Sequence, residues 1–184
     1  AVPDGWILVD VRYVGICGTD YHIYEGKHPF LNYPRVIGHE ISGMVANAPA
    51  GSGFTSGDLV VVNPYLSCGT CGACRKGKPN CCESIEVLGV HRDGGMGEQI
   101  AVPASNIYPA GGLSPRDAAM IEFLAIGAHA VRRARETEGK ALIVGAGPIG
   151  LGVAIFARIA GLDVTIADVD AGRLAQAEDV LGQA

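Results

Sequence analysis

The sequence predicts an α/β protein whose first part is β-rich: a small β-barrel-like domain followed by the opening of a parallel sheet. Three observations carry this expectation. Short apolar runs, each closed by Gly, Pro, Asn or Asp, recur through residues 6–102. From Ser114 onward the pattern turns helical, then reads strand, helix, strand, helix. Within the first region lies Cys68-Gly-Thr-Cys71-Gly-Ala-Cys74, with Cys81-Cys82 a few residues on, in a segment too polar and glycine-rich to form a core.

The elements follow in order. Residues 6–14 alternate, with Val9, Val11 and Tyr13 opposite Asp10, Arg12 and Val14, and predict a strand with one buried face. Residues 15–20 read as a turn and 21–24 as a short helix. Pro29 and Pro34 mark an ordered loop. A strand is expected to begin near His39, a loop to span 48–57, and short strands to occupy 58–62, 85–90 and 98–102, the last two separated by a Gly94-Gly95 turn. Ser114 as N-cap and Pro115 at the first helical position open a helix that continues through 117–121. A second helix is expected over 125–135, ending in Arg132, Arg133 and Arg135, which suit a helix C-terminus. Strand 141–144, helix 150–160, strand 163–167 and helix 171–181 complete the pattern. The domain boundary is placed near 120, giving domains 1–120 and 121–184.

Composition narrows the function. Hydrophobic residues make up 48% and charged residues 18% of the 184, enough for a buried core. A net charge of -5 without a basic stripe argues against a nucleic-acid surface. No apolar run is long enough to span a bilayer, and no signal-peptide pattern appears. Six clustered cysteines without a secretory signal read as metal ligands in a reducing compartment, which points to the cytoplasm; a disulfide cluster in a secreted protein is the rival reading. The start at Ala1 and the stop after a single helix suggest an incomplete chain.

The cysteine run has the ligand count and reach for a closed tetrahedral zinc site built from Cys68, Cys71, Cys74 and either Cys81 or Cys82. Gly145-Ala-Gly147-Pro148-Ile149-Gly150 is a G-x-G-x-x-G turn between an apolar strand and an apolar helix. Its glycines permit a tight turn and let a pyrophosphate approach free N–H groups at the helix N-terminus. Asp168 lies 23 residues after Gly145, where an acid can hold both ribose hydroxyls of NAD and repel the 2′-phosphate of NADP. Arg173 joins Gly145, Gly147, Pro148, Ile149, Gly150 and Asp168 in the expected cofactor-binding set. Cys17, His39 and Glu40 offer a second donor set, since a catalytic zinc takes three protein ligands and keeps one position open.

The motifs Gly15-Ile-Cys17-Gly-Thr19-Asp20 and Gly38-His39-Glu40, the four-cysteine lobe, the glycine turn and Asp168 occur together in one order. In that order they resemble a zinc-containing medium-chain dehydrogenase/reductase of the alcohol dehydrogenase superfamily, in the sorbitol, threonine and aldonate dehydrogenase branch. The segments around residues 33–40 and 87–95 look closest to sugar-acid dehydrogenases of the gulonate, galactonate and idonate type. The resemblance implies a GroES-like β-barrel catalytic domain followed by the first half of a Rossmann fold. It implies two zinc ions per chain, one catalytic and one structural, with NAD as cofactor. Cys17, His39 and Glu40 match the catalytic zinc ligands, and Glu122 matches an acid that coordinates that zinc or holds its water. Cys68, Cys71, Cys74 and Cys82 match the structural ligands. Thr19 and His22 match a proton relay, and Asp20 is expected to support the ligands from behind. Phe123 departs from the family's usual Pro, and Gly97-Glu98-Gln99 from the commoner Ala-Glu-Tyr. His28, His91 and His129 are expected to be structural.

These parts imply hydride transfer between a secondary alcohol, a polyol or sugar acid, and NAD, in a homo-oligomer acting on small molecules, with neither nucleic acid nor membrane as partner. The rival readings are a zinc-stabilised fragment or regulator without turnover, and a zinc-free quinone reductase, which the cysteine lobe disfavours.

Overall fold

The protein is described from a computed structural model, which covers residues 2–29 and 31–182. It divides into two compact units, Ala1–Glu122 and Phe123–Ala184.

The first unit is built on a five-stranded antiparallel sheet. Its strands are β1 (Trp6–Gly15), β2 (Glu40–Asn47), β3 (Leu59–Val62), β6 (Gln99–Pro103) and β7 (Ile107–Pro109), in the order β6-β1-β2-β3-β7. One face carries the core. Ile7, Val9, Ile41, Val60, Val62 and Val102 are essentially inaccessible, each worth roughly 1.5–3 kcal/mol of burial. The register brings Gly15 opposite Glu40, so the end of β1 and the start of β2 meet at one edge. A two-stranded sheet of β4 (Tyr65–Leu66) and β5 (Glu86–Val87) flanks the cysteine lobe.

Several expectations are corrected. Tyr13 is 49% exposed rather than buried, because a bulge between Val11 and Tyr13 shifts the register of β1 and turns its ring outward. Helix α1 spans Gly18–Tyr24 and so starts inside the expected turn; the Asp20 carboxylate accepts from the Cys17 N–H at 2.8 Å and stabilises the first turn. The strand expected over 85–90 shortens to Glu86–Val87, because the Val87 carbonyl accepts from the Val90 and His91 N–H groups and closes a turn. β6 pairs with β1, and β7 had no sequence signal.

In the lobe, α2 spans Gly72–Arg75. The Ser114 hydroxyl caps α3 (Pro115–Ala118) by accepting from the Asp117 N–H at 3.1 Å. Helix α4 spans Ile121–Ala134, starting earlier than the expected 125, since residues 121–125 hold no helix breaker. It ends at Arg135, whose φ of 64° is left-handed.

In the second unit β8 (Lys140–Val144) pairs in parallel with β9 (Asp163–Ala167). Helix α5 (Pro148–Ile159) connects them, and α6 (Ala171–Leu181) follows. Ala154 and Ala157 of α5 bury against Val164. This β-α-β-α order is the first half of a Rossmann fold, and the antiparallel sheet with its lobe is the GroES-like part. Among the described residues, no helix is long and apolar enough to cross a membrane.

The glycine turn yields a stability test. A Cβ at Gly150 would stand 1.8 Å from the Gly145 carbonyl oxygen, so Gly150→Ala forces backbone apart. Gly147 has an ordinary φ of -74° and open space around its Cβ position. Urea unfolding should show Gly150→Ala destabilised by about 1–3 kcal/mol, with Gly147→Ala within about 0.5 kcal/mol of the unchanged chain. Equal effects would contradict the close approach.

Candidate metal and cofactor sites

Among the described residues, two groups of metal-type donors form in the first unit. In each, the candidate ligand atoms all lie within 4.8 Å of one another: Cys17, His39 and Glu40 in one, Cys68, Cys71, Cys74 and Cys82 in the other.

The first group is assembled by backbone pairing. Cys17 lies two residues past the end of β1, His39 one residue before β2, and the Gly15–Glu40 pairing brings these ends together. Gly15 also leaves the space that the Glu40 carboxylate occupies, for a Cβ there would stand 2.0 Å from Glu40 Oε2. From the other side, residues 94–96 hold the approach to His39. The Gly94, Gly95 and Met96 N–H groups donate to the Val36, Gly38 and Ile37 carbonyls at 2.8–3.0 Å.

Asp20 sits behind this group. It is 2% exposed; one oxygen accepts from the Cys17 N–H at 2.8 Å and the other from the Gly38 N–H at 3.2 Å. Its Oδ1 lies 3.9 Å from His39 Nδ1. That is too long for a hydrogen bond, and His39 Nδ1 is buried without a partner.

The electrostatics are unusual for a buried site. Desolvation raises the Glu40 carboxyl above its ordinary range, against the pull of His39, with Glu122 and Asp20 raising it further. Desolvation likewise raises Glu122, while His39 and a hydrogen bond from Tyr65 lower it. Three buried carboxylates face one imidazole, an imbalance a divalent cation would relieve. The donor set of one thiol, one imidazole and one carboxylate fits a zinc that keeps an open position.

The second group has the backbone of a metal knuckle. The Cys71 N–H donates to Cys68 Sγ at 3.3 Å, the Cys74 N–H to Cys71 Sγ at 3.5 Å, and the Cys68 N–H to Cys82 Sγ at 3.3 Å. Thr70 donors hold the Cys68 thiol down to about 5, whereas desolvation pushes Cys74 up to about 12. Four thiols at this spacing fit one closed tetrahedral zinc. The structure separates the two adjacent cysteines: Cys82 is buried and joins the group, while Cys81 is exposed and lies outside it.

The other predicted residues are less concentrated. Thr19 Oγ1 lies 3.8 Å from Cys17 Sγ. His22 is exposed on α1, and among the described residues no hydrogen bond joins it to Thr19. Glu122 is buried near His39 and Glu40 but outside the 4.8 Å group. His91 accepts from the Val87 N–H at 3.0 Å, and His129 lies 3.2 Å from Arg132, so both have structural partners.

Sequence reasoning missed Tyr65 and Asn106. Asn106 Nδ2 donates to the Asn63 and Tyr65 carbonyls at 3.0 and 2.9 Å. Burial, followed by the Glu122 charge, pushes the Tyr65 phenol up to about 12. No motif marks either residue.

In the second unit the glycine turn closes onto its acid. The Gly145 N–H donates to the Ala167 carbonyl at 2.7 Å and the Ala146 N–H to Asp168 Oδ2 at 2.7 Å. Asp168 Oδ1 accepts from the Asp170 N–H at 2.9 Å, and Arg173 lies 3.9 Å from Oδ2. Gly147 is the N-cap of α5 and Pro148 its first residue, so the turn presents a helix N-terminus suited to a pyrophosphate.

The Ala146 N–H, then the Asp170 N–H, hold Asp168 below the usual carboxylate range. A lowered folded value contributes stability above the unfolded value of about 3.9. That contribution is lost as pH falls through the folded value. Asp168→Asn should therefore lower the urea midpoint at neutral pH, with the gap closing on acidification below about pH 4. A gap independent of pH would show that the carboxylate charge is not what stabilises the turn.

The comparisons with known proteins agree with this geometry. The alcohol dehydrogenase GroES-like domain family matches residues 3–112. L-galactonate-5-dehydrogenase of Escherichia coli K12 is 49% identical over 172 residues, covering 92% of this chain and 51% of that protein. A zinc-type alcohol dehydrogenase-like protein of Haemophilus influenzae is 40% identical, covering 96% of this chain and 53% of its own length. Among solved structures, the short chain alcohol dehydrogenase RspB from E. coli CFT073, complexed with NADH, superposes with a TM-score of 0.88 at 38% identity. It is covered over 55% of its length and matches all of this chain. The chain spans about half the length of the curated relatives it matches. It belongs to the alcohol dehydrogenase GroES-like family, among the zinc-type medium-chain dehydrogenases/reductases.

Proposed function

We propose that the protein transfers a hydride between a secondary alcohol, of the polyol or sugar-acid class, and NAD. The observation that carries this reading is the convergence of half-buried Cys17 with buried His39 and Glu40, with the His39 Nδ1 unpartnered. These three residues would hold a catalytic zinc, which when bound supplies Lewis-acid activation of an alcohol oxygen. Cys68, Cys71, Cys74 and Cys82 would hold a structural zinc. Gly145, Gly147, Pro148, Ile149, Gly150, Asp168 and Arg173 would hold NAD, which supplies the hydride acceptor.

The remaining work belongs to this chain's own side chains. Asp20 fixes the Cys17 and Gly38 backbones, and with them the donor directions. Thr19, beside the Cys17 sulfur, would take the alcohol proton, and the exposed His22 of α1 would act as the general base that passes it to solvent. Asp168 keeps a carboxylate beside the glycine turn, which favours the two ribose hydroxyls of NAD over the 2′-phosphate of NADP. The sugar-acid class is supported by the likeness to L-galactonate-5-dehydrogenase.

A panel of polyols, aldonates and simple primary alcohols, followed by NADH formation, checks this reading. Aldonates or polyols with a secondary hydroxyl should react with NAD in preference to NADP, and Cys17→Ser should lower kcat/KM by at least about 100-fold. Turnover confined to primary alcohols would refute the sugar-acid class. Full activity in Cys17→Ser would refute the metal assignment.

A further inference from the structure

The last pairs of β1 and β2 sit in a different register from the pairs just before them. Val9 opposes Val45 and Val11 opposes Gly43, whereas Tyr13 opposes Ser42, Val14 opposes Ile41 and Gly15 opposes Glu40. The slip leaves Arg12 as an extra, exposed residue of β1. Carried on without it, the register of Val9 and Val11 would set Val14 against Glu40. Because opposite residues share a face and faces alternate along a strand, the slip exchanges two side chains. Val14 joins the face of fully buried Ile41, and Gly15 takes the face of Glu40.

Gly15 has no left-handed φ, so its backbone would accept an ordinary side chain. Space is what forbids one. A Cβ at Gly15 would meet Glu40 Oε2 at 2.0 Å, Glu40 Cβ at 2.9 Å and Glu40 Cδ at 3.0 Å. The Glu40 side chain therefore lies folded across the bare Gly15 backbone, and there its oxygen falls within 4.8 Å of the Cys17 and His39 donor atoms. The clash of a Cβ would be relieved first by rotating the flexible Glu40 side chain to another rotamer, and the carboxylate would leave that place.

We propose that Gly15, set opposite Glu40 by the bulge at Arg12, is a positioning residue that decides whether Glu40 serves as a donor beside Cys17 and His39. This rests on the reading of that group as a metal site. With a bare backbone at residue 15, the protein offers three donors of three types. With any side chain there, the Glu40 carboxylate turns away and two donors remain. The bulge is thus part of the site, although Arg12 itself contributes no ligand atom.

Cobalt(II) loaded in place of zinc tests this without turnover. Absorption that disappears in Cys17→Ser reports this group, and absorption that disappears in Cys82→Ser reports the cysteine lobe in the same sample. Gly15→Ala should lower cobalt affinity at the first group by about tenfold or more, as Glu40→Ala should, and leave the lobe unchanged. Adding Gly15→Ala to Glu40→Ala should change the affinity by less than about threefold, because the carboxylate it would displace is already gone. Unchanged affinity in Gly15→Ala or in Glu40→Ala would overturn the proposal. So would a second full loss in the double variant, which would make the two effects independent. Loss of the lobe absorption in Gly15→Ala would assign Gly15 to the fold rather than to Glu40, and overturn it as well. Absence of any Cys17-dependent absorption in the unchanged chain would overturn the metal-site reading itself, and the proposal with it.

Discussion

The donor group of the first unit depends on one buried carboxylate. Asp20 is 2% exposed, a costly place for a charge unless its oxygens are satisfied. Both are: one accepts from the Cys17 N–H and the other from the Gly38 N–H. Those two N–H groups belong to the two segments that carry the thiol and the imidazole. Asp20 thus ties the beginning of α1 to the approach to β2, and its oxygen faces the ring of His39. The sheet register does the rest by setting Gly15 against Glu40. Removing one partner of such a network leaves a buried group unpaired, which costs more than the bond itself contributes.

Two kinds of donor group sit in one unit, and their physical differences suit different tasks. The cysteine lobe is four thiols on tight turns, with N–H donors aimed at the sulfurs. Four protein ligands fill a tetrahedral shell and leave no room for substrate. The other group has three donors of three types and an excess of buried negative charge. Desolvation raises Glu40 and Glu122 because nothing on the protein balances them fully. Such a site is incomplete as protein alone, and its chemistry points to a cation with an open position.

Much of this was legible in the sequence where chemistry is compressed into short spacing. The four-cysteine run, the glycine turn with Asp168, and the Ser114-Pro115 helix start need only local backbone rules, and the structure shows the expected local forms. The convergence of Cys17 with His39 and Glu40 is a long-range matter of register; the sequence offered the three as a donor set by type, and family resemblance matched them to one site. Local reading failed where tertiary contacts decide. The bulge in β1 exposes Tyr13, the Val87 carbonyl ends β5 early, and β7 exists because β3 pairs with it. Tyr65 and Asn106 carried no signal, since what joins them is two carbonyls, of Asn63 and Tyr65, held by one amide. The choice between Cys81 and Cys82 was open by spacing and is made by burial.

We propose two zinc ions per chain, held by unlike donor sets. The most direct measurement is metal content per chain in the unchanged protein and in Cys17→Ser, Cys81→Ser and Cys82→Ser. Two zinc equivalents are expected in the unchanged chain and in Cys81→Ser, and one in each of the other two. A single equivalent in the unchanged chain, or loss of zinc in Cys81→Ser with retention in Cys82→Ser, would contradict it.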